Sequence, residues 1–67
     1  MEKITNIIFN PQDLDDTRAS IVMANTILEN GEKVTLEPFS NLVHVSCIAL
    51  LTNGGFTYSP STNKFIK

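Results

Sequence analysis

The chain has no tryptophan and one cysteine, Cys47, so no internal disulfide can staple it. A lone cysteine, no signal-like start and no apolar run long enough to cross a bilayer predict a cytoplasmic protein away from membranes. Basic residues are few: Lys3, Arg18, Lys33, Lys64 and Lys67 are scattered rather than clustered. A nucleic-acid binder usually carries a basic stripe, so nucleic acid is disfavoured. The net charge of −2 is too mild for a polyanion mimic, and 42% hydrophobic residues argue against disorder. With 67 residues, the expectation is a single small domain over 1–67.

Sparse prolines and glycines fall at informative places. Apolar runs end before Pro11, Pro38 and Pro60, and Asn30-Gly31 and Asn53-Gly54 follow helix-like stretches. Proline cannot donate to a ladder, and glycine past a helix end accepts the left-handed conformation. The punctuation predicts a strand over 3–9, a helix from about Pro11 to Glu29 and a strand over Glu32–Glu37. A second helix over Asn41–Thr52 and strands Gly55–Ser59 and Lys64–Lys67 complete the chain. Asn10 and Ser40 are the expected N-caps. On the first helix, Leu14, Thr17, Ile21, Ala24, Ile27 and Leu28 fall on one side, with Val22 and Met23 off the stripe. Alternation within Val43–Cys47 leaves a strand there as the competing assignment.

The fold class is therefore α+β, a two-layer α/β sandwich of order β-α-β-α-β-β, with two helices on one face of a small mixed sheet. If the first three strands share one sheet, each helix is a right-handed crossover between parallel neighbours, with the last hairpin supplying an antiparallel edge; the strand order stays open. The order strand, helix, Gly31-Glu32, strand, helix, Gly54, then a hairpin ending in Phe65-Ile66-Lys67, is similar to the layout of the small sulfur-carrier (TusA- or SirA-like) family. That similarity implies the two-layer fold. The family's Cys-Pro-x-Pro hallmark has no counterpart in Arg18-Ala19-Ser20-Ile21-Val22, so no functional residue carries over.

Asp13-Leu14-Asp15-Asp16-Thr17 resembles the D-x-D-x-T signature of haloacid-dehalogenase-type phosphatases. The resemblance would make Asp13 a nucleophile and Asp15 a general acid, with magnesium at the phosphate. In that family the nucleophile closes the strand, whereas Asn10-Pro11-Gln12 intervene here. Read from the residues, the aspartates are an acidic first helical turn facing the positive end of the dipole. His44 and Cys47, three apart, could share a helical face as a metal pair or a nucleophile pair. Zinc needs three or four ligands and no second cluster exists, so the expectation is a packed thiol and a partly exposed imidazole, with no metal and no cofactor.

The run Leu42–Leu51 is apolar on all sides of a helix, more than a lone small domain covers easily. This points to a non-enzymatic protein-interaction or regulatory module, self-associating through the second helix or the open sheet face. The candidate interface is Val43, His44, Cys47, Leu50 and Leu51, and the partner another protein or a second copy. The alternative is a small-ligand- or anion-binding domain using the strand–proline–helix corners, with Asn10, Gln12, Asp13, Ser40 and Asn41 as binding residues.

Overall fold

The computed structural model describes residues 3–67. Its elements are β1 (Ile4–Phe9), α1 (Leu14–Glu29), β2 (Lys33–Pro38), α2 (Val45–Asn53), β3 (Thr57–Ser59) and β4 (Lys64–Ile66). The class and element order are those expected: two helices and a four-stranded mixed sheet.

The strand order is β1-β2-β4-β3. β1 and β2 pair in parallel from Ile4 opposite Lys33 to Phe9 opposite Pro38. β4 is antiparallel to both neighbours, with Phe65 opposite Leu36 on one side and Tyr58 on the other. The hairpin supplies the expected antiparallel edge, but its second strand lies inward: β3 is outermost and runs parallel to β2 with β4 between them, so the three parallel strands are not all neighbours. The physical reason is Phe65, whose ring meets Phe9 edge-on at 6.2 Å and Tyr58 at 5.0 Å. Placing β4 beside β2 buries that ring among Phe9, Leu36 and Phe56, where an outer position would expose it.

Alternation sorts the two faces. Val34, Leu36 and Pro38 of β2 point into the helix layer with Phe9 and Phe65, and close a core with Ala24, Leu51 and Phe56. Pro38 is the last residue of β2 rather than the residue beyond it. Its missing N–H lies past the β4 ladder, which pairs only Thr35 and Leu36. The opposite face carries a polar ladder. Asn6 Nδ2 donates to Glu37 Oε1 at 3.0 Å, Thr35 Oγ1 donates to Asn6 Oδ1 at 2.7 Å, and Lys64 Nζ lies 3.9 Å from Glu37.

Both helices end in Schellman motifs. Gly31 N–H bonds Leu28 O and Glu32 N–H bonds Ile27 O, with Gly31 at φ 81°. In α2, Gly55 N–H bonds Thr52 O and Phe56 N–H bonds Leu51 O. The left-handed glycine there is Gly55, at φ 90°, whereas Gly54 stays right-handed at φ −79°. Phe56 is still closing the helix, so β3 starts at Thr57 instead of Gly55.

The helix starts also differ from expectation. α1 begins at Leu14 with Asp13 as N-cap, its carboxylate accepting from the amides of Asp15 and Asp16. Asn10 caps only the preceding turn, accepting from Gln12 N–H at 3.0 Å. α2 begins at Val45, and its N-cap is His44 rather than Ser40. Leu42 cannot be its first turn, because Gln12 Nε2 donates to the Leu42 carbonyl and His44 N–H to the Pro11 carbonyl. These bonds hold 42–44 over the first corner and out of the helix.

Candidate functional site

Two features share the end of the sheet where β1 and β2 finish: a polar corner and an apolar surface. The corner is an open cavity of about 470 Å³ lined by Asn10, Gln12, Asp13, Leu14, Asp15 and His44. Three of the five expected ligand residues, Asn10, Gln12 and Asp13, thus come together. Ser40 and Asn41 do not join them. Ser40 Oγ accepts from Leu42 N–H at 3.3 Å, and Asn41 Oδ1 accepts from Asn63 Nδ2 at 3.4 Å.

The corner's polar groups are engaged in building the fold. Asp13 is the α1 cap, and Asp16 accepts from Asn10 N–H at 2.6 Å. Asp15 pairs with Arg18 at 3.3 Å, and Thr17 is fully buried. The aspartates of the phosphatase-like signature thus each make a contact at the start of α1: Asp13 caps it, Asp16 ties it to Asn10 and Asp15 pairs with Arg18. His44 accepts the Ser46 amide on Nδ1 at 3.1 Å, which places its proton on Nε2. Among the described residues no buried side-chain polar atom lacks a partner, and no three His, Cys, Asp or Glu side chains gather as a metal site.

The apolar surface surrounds α2. This helix packs on α1 through Cys47 and Leu51, both at 0% exposure. Those two candidate interface residues therefore belong to the core and no partner can touch them. Val43 and Leu50 are half-buried and His44 is exposed. The outward positions are Leu42 at 74%, Val45 at 73% and Phe39 at 63%, with Ile48 at 42%. A second cavity of about 270 Å³ adjoins them, lined by Asn41, Val43, Ile48, Tyr58 and Phe65 between α2 and the edge strand β3.

Sequence reasoning found the excess of apolar surface on α2 but missed Phe39, Leu42, Val45 and Ile48 as its exposed members. The available signal was Pro38. A non-helical stretch after it must lie on the surface, and this one carries Phe39 and Leu42.

No family model matches the chain, and no curated protein or solved structure is significantly similar to it. Among the described residues, no helix is long and apolar enough to cross a membrane.

Proposed function

We propose that this chain is a small non-enzymatic interaction module that self-associates and captures an apolar segment of another protein on the surface around α2. The observation that carries the reading is the set Phe39, Leu42, Val45 and Ile48, four large apolar side chains exposed around one short helix. Apolar side chains scattered singly need no explanation, but a continuous patch rimmed by polar residues is the usual mark of a contact surface.

The cavity beside it suits one anchoring aliphatic or aromatic side chain, because Val43, Ile48, Tyr58 and Phe65 line it. The neighbouring corner carries exposed Asp13 and Asp15. A segment with apolar anchors and basic flanking residues complements both features.

The experiment is a titration of the labelled chain with two amphipathic peptides, one of leucine and lysine, the other of leucine and glutamate. Binding of the lysine peptide, weaker binding of the glutamate peptide, and loss of both in a Leu42→Glu, Val45→Glu variant of unchanged melting temperature is the expected result. No binding of either peptide at about millimolar concentration sinks the capture reading. Solution mass at micromolar concentration tests self-association separately.

A further inference from the structure

β1 lies at the rim of the sheet, with β2 as its sole neighbour among the described residues. Its sequence, Ile-Thr-Asn-Ile-Ile-Phe over Ile4–Phe9, carries no charge, proline or glycine. Edge strands are normally blunted by lysine, proline, a bulge or shortness, and six regular residues show none of these. The main-chain groups left open can be named. Phe9 O accepts from Phe39 N–H on the β2 side, so by alternation Thr5, Ile7 and Phe9 face β2. Ile4, Asn6 and Ile8 therefore direct their amides and carbonyls outward.

We infer that this edge pairs with β1 of a second copy, antiparallel about a two-fold axis at Asn6. The inference rests on the self-association proposed above and gives it an address. Three independent features select the occupant and the register.

The first is self-complementarity. About Asn6, Ile4 falls opposite Ile8 of the second copy and Asn6 opposite its own equivalent, so every outward-facing residue meets another. Ile4 and Ile8 are 56% and 62% exposed on the open face, and the pairing covers each with the other. Shifting the axis to Ile7 would require Asn10 N–H, which Asp16 already occupies at 2.6 Å.

The second is α1. The contact between Asp16 and Asn10 fixes one flank of the helix above the end of β1, while Thr17 fixes the other flank against Cys47 of α2. At 100° per residue, Met23 projects only 20° from Asp16, toward the β1 rim. Its 55% exposure is thus an apolar flank on the helix side of the same edge. The rim is apolar above and below.

The third is charge. Exposed Lys3 precedes β1, and Asp16 sits at its far end. In the antiparallel register each Lys3 comes opposite Phe9 of the other copy, next to the residue whose amide Asp16 holds. The dimer thereby gains two symmetric lysine–aspartate approaches. Its sheet would be continuous across the dyad, with both α2 surfaces left open for a partner.

The test is sedimentation equilibrium of the chain, of Ile8→Lys and of Val45→Glu, with amide exchange on the chain itself. Expected are a dimer, association weakened by roughly tenfold or more in Ile8→Lys, and an unchanged dimer in Val45→Glu. Should Ile8→Lys fail to fold, exchange decides. The amides of Ile4, Asn6 and Ile8 should be protected at high concentration and lose protection on dilution. A dimer broken by Val45→Glu and untouched by Ile8→Lys overturns the edge assignment while leaving self-association standing. A dimer in which those three amides exchange freely does the same. Monomer at every concentration overturns self-association itself.

Discussion

Thr17 Oγ1 and Cys47 Sγ meet 3.2 Å apart where the two helices touch. Both residues are fully buried. The hydroxyl donates to the Asp13 carbonyl at 2.8 Å, which leaves its lone pairs open to the weak thiol donor. Cys47 is thus held by packing and by the start of α1, away from solvent. Its thiol should resist an exposed-thiol reagent in the native protein and react only as the protein unfolds. Cys47→Ala should cost about 1 kcal/mol, read from denaturant melts. Native reactivity equal to that of a free thiol would contradict this placement.

His44 is an unusual N-cap, since aspartate, asparagine and serine satisfy the first amides of a helix better. His44→Asp should raise stability by about 0.5–1 kcal/mol, a melting increase of several degrees for a domain of this size. His44→Ala should lower it by a similar amount. Equal melting temperatures for the two variants would show that the Ser46 amide does not depend on this side chain.

The glycines near the helix ends should respond differently to substitution. Gly31→Ala and Gly55→Ala force a side chain onto φ 81° and φ 90°, at about 1 kcal/mol each. At Gly55 the new methyl would also meet Lys67 Cε at 3.3 Å. Gly54 is right-handed, and its methyl would find only ordinary contacts, 3.4 Å from Leu50 O being the nearest. Gly54→Ala should therefore be close to neutral. A Gly54→Ala loss as large as that of Gly55→Ala would refute the assignment of the left-handed position.

The corner cavity should not take inorganic phosphate. Its lining includes Asp13 and Asp15, whose negative charge opposes an anion near the N-terminus of α1. Thermal melts in millimolar phosphate should match those at equal ionic strength in chloride. A saturable rise in melting temperature would reinstate the anion-binding reading.

Much of the fold was legible because its punctuation is local. Gly31 closes α1 as expected, and 60–63 link β3 to β4 with Asn63 at φ 55° as the left-handed residue. Two matters were not local. Which strand lies beside β2 depends on where the Phe65 ring can be buried, a contact with Phe9 far away in sequence. The start of α2 depends on Gln12 and Pro11 reaching residues 42 and 44, and no pattern within 40–45 encodes that. The candidate site suffered from the same blindness. A helix apolar on all sides announced a surplus, but only α1, lying against Cys47 and Leu51, determines which members remain outside.

The insertion of β4 between β2 and β3 also orders events during synthesis. Among the described residues β3 has no strand neighbour except β4, and the far side of β2 stays open until β4 arrives. Residues 64–66 are the last to leave the ribosome among those that form the sheet. β1, α1 and β2 can assemble beforehand, but Phe9 and Leu36 wait for Phe65. The domain thus closes in a late, single step, and a nascent chain stalled a few residues short of Phe65 would carry an unsealed core.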